Sequence, residues 1–225
     1  MPVKKTTRTM AENIPSSSQL IEYWDSTVSS KEFRHPLPKA AIDQYFPKGG
    51  TVLDMGCGYG RLAATLADLG FKVSGTDTSP AMLEKARRDV PNCDFRHCQN
   101  ELTWQDNTFD AVLLVTLLTS VPLDLEQRKI MSELRRVMKP GGCIFVSDMP
   151  LQWSSNYVTR YQNGLKRYGQ YGVFDLLDGG IARHHDMGYF TELMSGFTCL
   201  ELETHDVTTM DNNQAQAFRY IGRLS

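Results

Sequence analysis

Between residues 50 and 149, short apolar runs alternate with longer stretches in which apolar residues recur every three or four positions. The first pattern reads as buried strand and the second as amphipathic helix. TVLDM (51–55), FKVSGT (71–76), residues 94–97, FDAVLLV (109–115) and CIFVSDM (143–149) are the expected strands. FDAVLLV is almost unbroken, which predicts a strand covered on both faces. Leu62, Ala63, Leu66 and Leu69 mark a helix over 60–69 that Gly70 stops. Met82, Leu83 and Ala86 mark another, with Ser79 as its cap and Pro80 in its first turn. Ile130, Leu134, Val137 and Met138 mark a third over about 124–138, ended by Lys139-Pro140-Gly141-Gly142. Strands alternating with helices predict a mainly parallel sheet with helices on both faces.

The ends of the chain differ. Residues 19–32 and 36–47 read as two N-terminal helices. Residues 198–207 and 214–223 read as an antiparallel hairpin turning at Met210-Asp211-Asn212-Asn213. Residues 150–185 show no clean strand and carry Trp153, Tyr157, Tyr161, Tyr168, Tyr171 and Phe174. A long connection leaving the carboxyl end of a central strand is placed to cover a binding crevice, so this stretch is expected to be a substrate lid. A satellite hydrophobic cluster with no ligand role is the plainer alternative. Residues 1–18 are polar and read as a flexible tail, leaving 19–225 as one domain.

Composition narrows the class. With 225 residues, 41% hydrophobic and 22% charged, the chain can bury a full core without disulfides or metal. A formal net charge of -2 gives no electrostatic reason to expect nucleic acid or an acidic membrane as partner. Lys4, Lys5 and Arg8 read as part of a solvated tail. No apolar run approaches the roughly 20 residues of a membrane helix, and residues 1–18 lack the apolar region of a secretory signal. Five cysteines, with no C-x-x-C pair, argue against a disulfide framework and fit a reducing cytoplasm.

The chemistry concentrates at Asp54-Met55-Gly56-Cys57-Gly58-Tyr59-Gly60, directly between the first strand and a helix. Glycine at 56 and 58 allows a tight turn and close approach of a ligand, and the helix start turns unsatisfied N–H groups toward it. Asp77 ends the second strand, where a carboxylate can accept both ribose hydroxyls of an adenosine. The glycines fall as G-x-G-x-G, without the third glycine of a dinucleotide fingerprint. Asp54 would repel a pyrophosphate and favour a cationic ligand.

VLDMGCGYGRLA (52–63), SGTDTSPAMLEKAR (74–87), FDAVLLVTLLTSVP (109–122) and ELRRVMKPGGCIFVSD (133–148), in that order, resemble class I S-adenosylmethionine-dependent methyltransferases of the small-molecule type. The resemblance implies a Rossmann-like, doubly wound α/β sheet of seven strands in the order 3-2-1-4-5-7-6, strand 7 antiparallel. It implies S-adenosylmethionine as cofactor and S-adenosylhomocysteine as product. Asp54, Gly56, Cys57 and Gly58 would hold the methionine part, Asp77 the ribose, and Thr78 and Met82 the adenine surroundings, with Val115 at the end of the fourth strand. Many relatives carry an acid after the third strand, where this chain has Cys98 or Gln99; Gln99 could accept through its amide oxygen. Many also carry a His after the fourth strand, where this chain has Thr119-Ser120. No Asn/Asp-Pro-Pro-Tyr signature of base methylation is present.

The expected function is methyl transfer to an O, N or C nucleophile of a small, aromatic or apolar acceptor. The alternatives are an aminopropyl-type transferase or a non-catalytic nucleoside-binding scaffold on the same fold. His184 and His185 are candidate general bases, since neutral imidazole can take a proton near pH 7. Against this, Asp186 could be a helix cap and the histidines solvated loop residues. No metal site is expected from two adjacent histidines. Cys57 is expected to pack rather than react. Tyr23 and Trp24 would either cover the cofactor or pack in the core.

Overall fold

The computed structural model describes residues 14–31, 37–98, 101–209 and 214–225. Its frame is the alternating pattern read above. The parallel strands are β1 (Thr51–Met55), β2 (Lys72–Asp77), β3 (Asp94–His97), β4 (Phe109–Val115) and β5 (Met138–Asp148). Helices α3 (Arg61–Asp68), α4 (Pro80–Asp89) and α5 (Asp124–Val137) connect them, preceded by α1 (Ser17–Thr27) and α2 (Lys39–Tyr45). After β5 come α6 (Ser155–Tyr168), β6 (Val173–Asp175), β7 (Ile181–Arg183), α7 (Met187–Leu193), β8 (Phe197–Thr208) and β9 (Gln214–Leu224). The seven-stranded sheet runs β3-β2-β1-β4-β5-β9-β8, and β9 is antiparallel to both neighbours. This is the expected order once the separate β6–β7 hairpin is set aside. The turn expected at 210–213 lies outside the described residues.

Side chains alternate across the sheet, so two cores form. Leu53, Val112, Leu114, Ile144 and Val146 pack toward Leu134, Phe190 and Phe218. Val52, Ala111, Leu113, Cys143 and Phe145 pack toward Ile42, Leu66 and Leu83 on the opposite face. Burial on both faces is why β4 reads as a continuous apolar run rather than an alternating one.

The structure differs from the expectations in three places. The helix expected over 19–32 begins at Ser17, because Ser16 caps it in a reciprocal capping box with Gln19. The serines assigned to the tail are thus its cap and first turn. β5 starts at Met138 rather than 143 and shifts register between Phe109 and Ala111, carrying Pro140 and both glycines through an irregular stretch. Residues 150–185 contain a 14-residue helix and an antiparallel hairpin where no clean strand was expected. Three-residue strands are too short to show a period in sequence.

The hairpin is fastened at the carboxyl ends of the central strands. His185 N–H donates to Met149 O at 2.9 Å, and Leu151 N–H donates to His185 O at 2.9 Å. Arg183 Nη1 donates to Pro122 O at 3.0 Å. Tyr157, Tyr161, Phe174 and Ala182 form the segment's own small core. Most of the aromatics that drew attention in the sequence therefore fill the interior of this layer, while Trp153 and Tyr171 are exposed.

Candidate active site

The register aligns Met55 with Thr76 and with Leu114, so β1, β2 and β4 end side by side. The glycine loop leaves β1 at this edge. Gly56 and Cys57 N–H both donate to Thr76 O, at 2.8 and 3.0 Å, folding the loop back onto β2. Gly56 has φ 74° and Gly58 φ 52°, in the left-handed region. A Cβ at Gly56 would sit 2.7 Å from Leu117 Cδ1, so the loop is pressed against the turn after β4.

Asp77 is built into this loop. Its Oδ2 accepts from Gly58 N–H at 2.9 Å and its Oδ1 from Ser79 N–H at 2.9 Å. Burial pushes its carboxyl up, while the N–H groups of Ser79, Gly58 and Thr78 pull it down. A carboxylate has about four lone-pair sites, so acceptor capacity remains for a hydroxyl donor.

Asp54, 2% exposed, lies at the end of β1. Its Oδ2 has no hydrogen-bond partner among the described residues. Burial first, and then the charge of Asp77, raise its pKa to about 7, against the opposing pull of Arg61 and Ala63 N–H. A buried carboxylate oxygen without a partner is costly unless a ligand completes it. The ammonium of S-adenosylmethionine is such a ligand, and the ribose diol matches Asp77; the residues present fit this cofactor.

The other expected cofactor residues are placed as follows. Cys57 is 8% exposed, its thiol pushed up first by burial and then by Asp54 and Asp77. It packs where a Cβ on Gly75 would come 3.0 Å from its sulfur, so it is a filler and not a nucleophile. Thr78 is exposed beside Asp77, and its carbonyl meets His97 Nε2 at 3.1 Å. Met82 is buried in the first turn of α4, its N–H capped by Ser79 Oγ at 3.1 Å. Val115 is half-buried at the end of β4. Gln99 lies outside the described residues. Cys98 Sγ donates to Glu101 O, turned into its own loop.

His184 and His185 are 5% and 0% exposed, which corrects the reading of solvated loop residues. Asp186 does cap α7, its side chain accepting from Tyr189 N–H at 3.1 Å. Tyr161 OH accepts from Gln152 N–H at 3.0 Å and so donates to His184 Nδ1 at 2.7 Å. His185 Nε2 meets the amide nitrogen of Gln127 at 2.9 Å. The same amide nitrogen faces Leu118 O at 3.0 Å and Val121 O at 2.7 Å, so its two hydrogens are shared among three partners, and His185 Nδ1 lies 3.4 Å from Met149 O. Burial, reinforced by Arg160 at His184 and Arg183 at His185, lowers both rings to about 3.

Sequence reasoning missed Gln127, fully buried, and Asp25 of α1, which accepts from Ser79 Oγ at 2.5 Å and from Ala81 N–H at 3.1 Å. Asp25 and Ser79 are 54 positions apart, and no local spacing could pair them.

Comparison with known proteins agrees with this geometry. Residues 52–142 match the family model described as a methyltransferase domain. A ubiquinone biosynthesis O-methyltransferase of Xanthomonas oryzae is 28% identical over 198 residues, covering 84% of this chain and 78% of that protein. A demethylmenaquinone methyltransferase of Chlorobaculum parvum is 30% identical over 159 residues, 64% of each chain. The crystal structure of a SAM-dependent methyltransferase from Methanosarcina mazei shares the fold, with TM-score 0.80 and 24% identity over 85% of this chain and 99% of that one. Residues 52–142 therefore match a methyltransferase domain, and these relatives and neighbours support an S-adenosylmethionine-dependent methyltransferase that uses S-adenosylmethionine as its cofactor.

Proposed function

We propose that the chain methylates an O, N or C nucleophile on a small molecule, and that the acceptor is a hydroxylated, quinone-type ring. The observation that carries the site is the unpartnered Asp54 oxygen beside an Asp77 whose carboxylate retains acceptor capacity. In this reading Asp77 holds the ribose, Asp54 balances the ammonium, and residues 56–58 give the methionine part its space. Thr78, Met82 and Val115 border the adenosine. The acceptor class follows from two relatives whose names place them in ubiquinone biosynthesis and in demethylmenaquinone methylation. Tyr157, Tyr161 and Phe174 of the 150–185 layer do not bear on it, because they are that layer's own core.

When bound, the cofactor supplies an electrophilic methyl group on a sulfonium. The chain's own contribution is to fix the two reactants and exclude water, and proximity alone can account for much of such a barrier. His184 and His185 support the cover: both rings are buried, hydrogen-bonded and poorly basic. A proton released by the acceptor passes to solvent.

The test is transfer of labelled methyl from S-adenosylmethionine to catechol- and hydroquinone-type acceptors, against a panel of amines and nucleic acid. Methylation of the ring acceptors supports the proposal. Cofactor binding with labelling of nucleic acid alone would refute it.

A further inference from the structure

Helix α1 touches both halves of the site. At one side, Asp25 accepts from Ser79 Oγ and from Ala81 N–H, at the start of α4. Ser79 N–H is also one of the two donors to Asp77. At the other side, Tyr23 OH donates to both oxygens of Asp178, at 2.9 and 3.0 Å. Asp178 lies in the turn between β6 and β7. Lys31 Nζ lies 2.9 Å from the same carboxylate, and its side chain is only 9% exposed. The Tyr23 ring covers Gly180 so closely that a Cβ there would come 2.3 Å from Tyr23 Cζ. Ile14 and Leu20 pack on Tyr168, Val173 and Ile181 of the same layer. The chain of contacts is thus continuous from Asp77 through Ser79, Asp25 and α1 to Asp178 and the hairpin.

We propose that α1 is a strap in which Asp25 is a positioning residue for the ribose carboxylate and Tyr23 and Lys31 hold the hairpin turn, so that filling the cofactor site orders the acceptor cover. A rigid helix joining two small elements, each held by a few polar contacts, can carry such coupling: ordering one end lowers the cost of ordering the other. The order of binding follows. Cofactor enters first, α1 settles on α4, and the hairpin closes a floor on which the acceptor can sit. The inference rests on Asp77 holding the ribose.

Hydrogen exchange with and without S-adenosylhomocysteine tests it, using the whole chain. Wild type is expected to show slower amide exchange at 173–183 when S-adenosylhomocysteine is present, although the ligand itself contacts residues 54–78. Asp178→Ala removes both the Tyr23 and Lys31 contacts, and Gly180→Ala displaces the Tyr23 ring without removing a charge. In both variants that ligand-dependent slowing should disappear while the slowing at 54–60 remains. Asp25→Ala should weaken S-adenosylhomocysteine about 5-fold or more, and Asp25→Asn, which keeps an acceptor oxygen, should recover most of it. A merely structural tie would raise exchange equally with and without ligand. Unchanged ligand-dependent slowing at 173–183 in Asp178→Ala and Gly180→Ala overturns the strap. Binding without any slowing at the hairpin of the wild type overturns it too, and leaves the cofactor reading standing. No binding to the wild type removes both.

Discussion

Asp77 and Gly58 are joined by a 2.9 Å hydrogen bond from the glycine's backbone N–H to the carboxylate. One residue thereby shapes the loop after β1 while, in the proposed reading, its remaining lone pairs serve the ribose. A change at Asp77 is felt by the loop, and a change in the loop is felt by Asp77.

Gly56 tests the loop half of this relationship. Gly56→Val would place a branched side chain at φ 74°, with its Cβ 2.7 Å from Leu117 Cδ1. Strain of this kind is worth on the order of 1–3 kcal/mol. The expected outcome is a folded protein of lower melting temperature with S-adenosylhomocysteine affinity reduced at least tenfold. Calorimetric titration beside circular dichroism checks it; normal affinity would mean that the loop does not cradle the cofactor.

Asp54 sets fold stability against binding. Its folded pKa, about 7, stands above the ordinary 3.8, so the stability linked to its protonation is fully present below pH 3.8 and is lost as pH rises through 7. Asp54→Asn should therefore raise the melting temperature of the free protein most at pH 8, with about 4 kcal/mol as the upper bound. The same variant should bind the cofactor poorly. In the wild type, affinity should rise between pH 6 and 8 as the carboxylate ionises, and the Asn variant should lose this dependence. Melting curves and titrations over that range decide; a variant less stable than wild type at pH 8 contradicts the account.

For the histidine pair the expected losses are in stability. His185→Ala leaves a cavity at a fully buried position, a cost of roughly 2–5 kcal/mol. Rate per folded molecule should change less than tenfold, whereas removing a general base typically costs about 100- to 10,000-fold. Both rings titrate near 3 in the fold, below the ordinary 6.5, so their contribution is present above pH 6.5 and is lost as pH falls toward 3. Acid unfolding followed by fluorescence should be less steep in His184→Ala and His185→Ala between those values. A large rate loss in a variant of normal stability would restore the base.

The sheet was legible because β1 and β4 are largely apolar runs, and the bounds of β1, β3 and β4 match the sequence reading. The positions of the loop after β1, of Asp54 and of Asp77 were legible because all are tied to strand ends, which the pattern fixes. What was not legible depends on contacts between distant positions. Nothing near Asp25 or Tyr23 signals Ser79 or Asp178. The burial of His184 and His185 depends on Tyr161, Gln152 and Gln127, which come from three other segments. The aromatic density of 150–185 suggested a ligand wall, yet a layer separated from the main cores needs large side chains simply to hold itself together.

The most direct measurement is calorimetric titration of S-adenosylhomocysteine into wild type, Asp77→Asn and Asp77→Ala at one pH. Loss of a charge-assisted, two-oxygen contact costs roughly 2–3 kcal/mol, about 30- to 150-fold in affinity. Wild type should bind tightly, Asp77→Ala should lose about that factor while remaining folded, and Asp77→Asn should fall between them. Equal dissociation constants for all three would contradict the assignment of the site.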